Sequence, residues 1–311
     1  MKHLLYYLSL SLLVGHMTYG QLLLKPDQVF DGTEMHKNWV VLVEGDEISY
    51  AGPASGLRAP NGTQTKNLSG MTLMPGLIEG HSHLLLHPYD ETPWNDQVLK
   101  ESPVERAIRG VNHAKASLMA GVTAMRDLGS EGAGYADVNL KQSIEKGLIP
   151  GPRLLVAGPA IVATGAYGPK GFHDGVNVPL GAEPTSGISG VIETTRRQLG
   201  NGADFIKVYA DYRWQTGAPS QPTFLQEELN AMVATATSAG SYVVAHASTP
   251  EGMKRAILAG AETIEHGDGG TVEVFKLMKE KGVALYPTLA AGDAVEQYAG
   301  WEKGRQPDTE R

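Results

Sequence analysis

The rhythm of apolar and polar positions changes near residue 71. Between residues 21 and 70 the apolar runs are short and strand-like: Gln21-Leu-Leu-Leu-Lys, Trp39-Val-Val-Leu-Val and Glu47-Ile-Ser-Tyr-Ala. The turn phrases Asp31-Gly, Glu44-Gly-Asp and Pro53-Ala-Ser-Gly divide them, which predicts a small antiparallel β unit. From residue 71 to 311, short apolar strands alternate with segments of helical period, the pattern of βα repeats around a parallel sheet. The strands predicted are 72–83, 122–127, 153–157, 205–209, 242–246, 263–266 and 283–287, with helices near 103–120, 134–146, 188–200, 224–239, 250–259 and 271–281. Two helices end in matching phrases, Met119-Ala-Gly-Val-Thr and Leu258-Ala-Gly-Ala-Glu, where Gly121 and Gly260 can take the left-handed conformation that stops a helix. This serial α/β order favours a (β/α)8 TIM barrel lacking its last strand, preceded by the incomplete 21–70 unit. A doubly wound open sheet is the other arrangement, though no GxGxxG follows the first strand to make it a nucleotide-binding one.

Composition narrows the chemistry. The net charge of −8 disfavours nucleic acid or an anionic membrane surface as partner. With no cysteine among 311 residues there is no disulfide, no thiolate nucleophile and no Cys-based zinc site. A metal would have to be held by His, carboxylate or a modified Lys. The 38 glycines and 18 prolines fit a fold with many tight connections.

At the N-terminus, Met1-Lys-His precedes Leu4-Leu-Tyr-Tyr-Leu-Ser-Leu-Ser-Leu-Leu-Val, a run too short to span a bilayer comfortably. The small residues Thr18 and Gly20 then stand before Gln21, so residues 1–20 read as a signal peptide cleaved after about Gly20. The expected mature protein is exported, periplasmic or extracellular, with no membrane anchor. Homo-oligomerisation is left open.

The stretch GLIEGHSHLLLH carries the first chemical signal. Alternate residues of a strand share a face, so an extended run through Met71-Thr-Leu-Met-Pro-Gly-Leu-Ile aims His81 and His83 the same way, as a two-point metal grip. On a helix that spacing would splay them by roughly 200°. Reactive groups of a βα barrel sit at C-terminal strand ends. There the sequence places Lys207 in Asp-Phe-Ile-Lys-Val-Tyr, His246 in Val-Val-Ala-His and His266 in Ile-Glu-His-Gly. An ammonium between Ile206 and Val208 would be desolvated at considerable cost. Such a lysine either pairs with a carboxylate such as Asp204, or loses its proton and takes up carbon dioxide as a carbamate able to bridge two metals.

The phrases MPGLIEGHSH, GVTAMRDLG, DFIKVYA, VVAHA, IEHG and YPTL, in this order, resemble the amidohydrolase superfamily, specifically the imidazolonepropionase-like and metal-dependent Xaa-Pro dipeptidase branch. The resemblance runs from about residue 21 to the end. It implies a metal-dependent hydrolase of amide C–N bonds, acting through metal-activated hydroxide on Xaa-Pro-type dipeptides or cyclic amides. It also implies that His81, His83, Lys207, His246 and His266 are ligands of two divalent ions, expected to be Zn2+, with a carbamate on Lys207 and with His246 and His266 as the catalytic candidates. The imidazolonepropionases are mononuclear and lack this lysine, so Lys207 tilts the resemblance toward the two-metal dipeptidases. The small β unit becomes half of a composite β-sandwich.

The family's strand-eight aspartate, usually in a Gly-Thr-Asp phrase, has no counterpart before Arg311; the nearest acids are Asp268 and Asp293. The chain is therefore expected to be truncated, and a catalytically silent metal- or ligand-binding barrel is the competing reading, with a lyase or isomerase on the same fold as a third. Among weaker candidates, His173, Tyr209 and Arg126 are assigned to the small-molecule substrate. His87 is expected to cap or line the first loop, and His113 to be a surface or packing residue. Asn61-Gly-Thr and Asn67-Leu-Ser match glycosylation acceptors, a pattern that arises often by chance.

Overall fold

The computed structural model describes residues 20–298 and 300. The expected signal peptide, apart from Gly20, lies outside the described residues. No helix among them is long and apolar enough to cross a membrane.

The chain divides between Pro75 and Gly76 into two compact units. In the first, strands β1 (Gln21–Phe30), β2 (Met35–Lys37), β3 (Trp39–Glu44), β4 (Glu47–Pro53) and β5 (Gln64–Leu73) form one five-stranded sheet. Its pairings are antiparallel except that of β1 with β5, which is parallel. Leu23, Val40 and Leu42 make its small core.

The second unit carries the βα series. Strands β6 (Leu77–Ser82), β7 (Val122–Asp127) and β8 (Arg153–Val156) form a parallel sheet in chain order. Strands β9 (Ile161–Ala163), β10 (Glu183–Thr185), β11 (Ile206–Tyr209), β14 (Val243–Ala247), β15 (Thr263–His266) and β16 (Ala284–Tyr286) form a second parallel sheet, in the order β10-β9-β11-β14-β15-β16. Between them in the chain, β12 (Asp211–Arg213) and β13 (Ser220–Pro222) make a separate hairpin. One expectation is corrected here: 72–83 is not a single strand. β5 ends at Leu73 and β6 begins at Leu77, because Pro75 has no N–H to give a ladder and Gly76 holds extended structure weakly.

The helices are α1 (Trp94–Lys100), α2 (Pro103–Met119), α3 (Ala136–Glu145), α4 (Gly187–Gly200), α5 (Gln226–Ser238), α6 (Pro250–Ala259), α7 (Val272–Lys281) and α8 (Leu289–Tyr298). Helix α2 starts on Ser102, whose side chain accepts from the Glu105 N–H, with Pro103 at the first turn. Gly121, just after α2, and Gly260, at the end of α6, have φ of 97° and 96°, as the matching phrases predicted.

Alternation along the strands divides their side chains between two environments. Ile206, Val208, Val243, Ala245 and Ile264 face the helices and pack on Met232, Met253 and Ile257. Fully burying the isoleucine, valine and methionine side chains contributes about 1.5–3 kcal/mol each. The intervening residues, Lys207, Tyr209, Val244, His246 and Glu265, are thereby turned to the opposite face of the sheet. The expected ring of strands is represented by these two sheets, joined where the Asp204 N–H donates to Val156 O at 2.8 Å. Among the described residues, β16 and β6 are not paired.

Candidate active site

At the C-terminal strand ends of the second unit the structure brings together His81, His83, Lys207, His246 and His266. The imidazole centroids of His81 and His83 are 5.4 Å apart, those of His81 and His266 4.9 Å, and those of His246 and His266 4.6 Å. Strand alternation explains four of these positions and not the fifth. Because Ile264 faces the helices, His266 should do the same, but its φ of 73° turns the chain and returns its ring to the cluster. A left-handed backbone at a residue other than glycine costs of order 1–3 kcal/mol and collects at functional sites. Only Asn38, Glu131, His266 and Thr288 adopt it among the described non-glycine residues, and the last three border this site.

Three of the imidazoles are held by Nδ1. His81 Nδ1 meets Glu265 Oε2 at 2.7 Å, His83 Nδ1 meets Gly129 O at 2.9 Å, and His266 Nδ1 meets Thr288 Oγ1 at 2.7 Å. In each case Nε2 is the nitrogen left to act as a ligand. His246 differs: its Nδ1 is buried without a partner, while its Nε2 stands 3.7 Å from Asp211 Oδ1. Lys207 Nζ is also buried without a partner, on a side chain with no exposed surface.

Burial sets the protonation of the group. It pushes the Lys207 ammonium down to about 8, with Arg126 lowering it further and the carboxylates of Glu265 and Glu131 opposing. Burial likewise drives His81, His83 and His246 below the usual imidazole range, and His266 down to about 3, each assisted by the Lys207 charge. The four rings are therefore neutral near pH 7, the form that binds a cation.

Among the described residues no group of three His, Cys, Asp or Glu side chains is arranged to hold a metal ion as it stands. The fit to a cation lies in the donor chemistry. Two buried nitrogens lack partners, three other rings present Nε2, and the remaining member is a lysine that becomes an anionic oxygen ligand only after carboxylation.

The four histidines line a cavity of about 800 Å³ together with the aromatic residues Tyr89, Trp94, Tyr167, Tyr209 and Tyr212, and Lys207 lies buried beneath that lining. Glu131 is gripped there by Trp94 Nε1 at 3.0 Å, Tyr167 OH at 2.9 Å and Tyr209 OH at 3.2 Å. Burial first, then the Glu131 charge, raises the phenols of Tyr167 and Tyr209 well above their usual range, so both remain hydroxyl donors. The Tyr209 ring stacks on His246 at 4.6 Å.

Two residues assigned to substrate stand elsewhere. Arg126 is committed to Gly80 O at 2.7 Å and Glu265 Oε1 at 3.0 Å and is absent from the cavity lining. His173 lines a separate surface pocket with Lys170 and Trp214, and its Nδ1 accepts from the Gly175 N–H. Of the structural histidines, His87 is buried against Glu101 at 2.9 Å and His113 holds Leu84 O at 2.8 Å. Asp268 is exposed and outside the lining. Sequence reasoning missed Glu265, Glu131, Asp211 and the cavity cation Arg213. IEHG itself carried Glu265, but strict alternation sets it opposite His266.

Residues 72–299 match the model of the Amidohydrolase family. The chain is 32% identical over 235 residues to an ochratoxinase of Aspergillus niger, covering 70% of this chain and 47% of that protein. It spans about half the length of the curated relatives it matches. Among solved structures, a prolidase complexed with N-methylphosphonate-L-proline is 29% identical, with a TM-score of 0.77, covering 91% of this chain and 70% of that one. An Xaa-Pro dipeptidase with methionine in its active site is also 29% identical, with a TM-score of 0.76, covering 89% and 69%.

Proposed function

Because this chain belongs to the amidohydrolase family, we propose that it hydrolyses an amide bond next to a free carboxylate, with Xaa-Pro-type dipeptides as the first substrates to try. The single observation that carries this reading is the gathering of four neutralised imidazoles on the lining of a large cavity, with an unpartnered lysine buried among them. The prolidase and Xaa-Pro dipeptidase likenesses support the substrate class, and the ochratoxinase likeness keeps other amides in view.

In this proposal His81 and His83 would hold one divalent cation and His246 and His266 a second, with a carbamate on Lys207 as the further oxygen ligand; zinc is the expected metal. Bound there, the cations would acidify water and polarise the scissile carbonyl. The protein's own part is placement. The neutral rings of His81, His83 and His266, fixed through Nδ1, keep their Nε2 aimed without a proton to displace. The aromatic residues around Glu131 would keep water from the bound substrate. Arg213, exposed at the cavity edge, is the arginine that lines it. We place the substrate carboxylate there, in the role first assigned to Arg126. We also take the two parallel sheets as sides of one (β/α)8-type barrel, and residues 1–20 as a leader for export.

The test is a panel of Xaa-Pro dipeptides, other dipeptides and N-acyl amino acids, given to protein loaded with zinc, manganese or cobalt. Release of the C-terminal amino acid, abolished by a chelator and restored by metal, is the expected result. Metal-loaded protein that cleaves none of them would overturn the assignment.

A further inference from the structure

We propose that Glu265, backed by Arg126, is the positioning residue that makes His81 the strongest donor of the cluster, so that the two cation positions are unequal and the His81–His83 position is the tighter. This deepens the reading of the cluster as a cation centre and rests on it.

The geometry around Glu265 is specific. Its carboxylate has no exposed surface, and both oxygens are committed: Oε2 to His81 Nδ1 at 2.7 Å, Oε1 to Arg126 Nη2 at 3.0 Å and Thr263 Oγ1 at 2.5 Å. A carboxylate facing a guanidinium is an acceptor only, so the proton of the His81 ring sits on Nδ1 and the lone pair on Nε2. The other rings have weaker backing. His83 donates to a backbone carbonyl, His266 is held by a hydroxyl, and His246 Nδ1 has no partner. Carboxylates do stand near His83 and His246, but Glu131 and Asp211 lie 3.8 and 3.7 Å away, beyond hydrogen-bond reach. A charged acceptor behind an imidazole raises its basicity more than a neutral one.

Arg126 supplies the counter-charge and is itself fixed, by Gly80 O at 2.7 Å and by the Tyr286 ring beneath it at 4.3 Å. A Cβ at Gly80 would collide with that ring, so the glycine of the GHSH phrase makes room for the clamp. The clamp also crosses between sheets: Glu265 belongs to β15, while His81 and Arg126 belong to β6 and β7. The left-handed turn at His266 completes it, letting one strand present Glu265 behind the cluster and His266 within it.

The test titrates metal-free wild type, Glu265→Gln and the pair Glu265→Gln/Arg126→Met with Co2+ alone. It reads the affinity of each site and the visible spectrum of the bound ion. The pair removes both buried charges together and carries the test if the single variant does not fold. The expected result is two unequal sites in the wild type and, in either variant, about 10–100-fold weaker binding at the tighter one, with a changed spectrum and the other site unmoved. His81→Asn should weaken the same site, and adding Glu265→Gln to it should cost little more. Equal loss at both sites, or no loss, would overturn the proposal. Wild type that binds no Co2+ would instead overturn the cation centre beneath it.

Discussion

Among the described residues, Arg106 and Lys207 are the two most deeply buried cations of the larger unit, 1% and 0% exposed, and they are treated in opposite ways. The Arg106 guanidinium reaches three backbone carbonyls, of Leu85 at 2.9 Å, Glu131 at 2.6 Å and Ser130 at 3.2 Å. It ties α2 to the loop after β7 and so fixes the backbone that carries Glu131 and Gly129. The Lys207 ammonium has no hydrogen-bond partner and lies over the Tyr209 ring at 5.5 Å. A buried charge with its hydrogen bonds met is structural, whereas one left without partners is a cost that persists only where something else requires it. On the proposed reading, the contrast makes Lys207 the functional member of the pair.

Matching substitutions sharpen that contrast. Lys207→Met should lower amide hydrolysis by about a thousandfold or more, the scale of losing a main electrostatic element of a site, with no loss of melting temperature in the metal-free protein. Arg106→Met should do the reverse. It leaves the Leu85 and Glu131 carbonyls without their side-chain donor and Glu131 without its neighbouring charge, for a loss of about 3 kcal/mol or more in urea unfolding. Metal content per folded molecule should stay at the wild-type level. If Arg106→Met strips the metal from folded protein while Lys207→Met leaves activity intact, the roles are exchanged and the comparison fails.

A smaller effect is expected at the cavity edge. Arg213→Met should raise KM for substrates with a free carboxylate by about tenfold, equivalent to 1.4 kcal/mol. It should leave KM for the corresponding amides unchanged. An equal rise for both would remove Arg213 from carboxylate recognition.

A further effect is in pH. In metal-free protein the Lys207 ammonium is held down to about 8 against an ordinary 10.5. Between those values the unfolded chain binds a proton that the folded one does not, so stability should rise with pH across that window. Lys207→Met should flatten the slope, as measured by urea unfolding at pH 8 to 10. A slope retained in the variant would assign it to another group.

Much of the cluster is legible in the sequence because it follows strand period. Phe205, Lys207 and Tyr209 share a face, as do Val244 and His246, with Ile206, Val208, Val243 and Ala245 turned to the helices. What stayed hidden depends on contacts distant in the chain or on single backbone angles. Arg126 and Glu265 are 139 residues apart, so an arginine at a strand end reads as free for substrate when it is committed elsewhere. Glu265 and His266 serve one site only because His266 leaves the strand conformation. Helix α1 has only 7 residues of pattern behind a proline, about two turns, too little to register as a period. His173 lies in an irregular loop, where no period says which way a side chain faces.

The central claim is most directly tested by counting divalent ions per chain in wild type and Lys207→Met, each prepared with bicarbonate, alongside the intact mass measured without acid. The account predicts two ions and the added mass of one carbon dioxide in the wild type, with both the second ion and the added mass lost in the variant. Two ions retained by Lys207→Met, or none in the wild type, would contradict it.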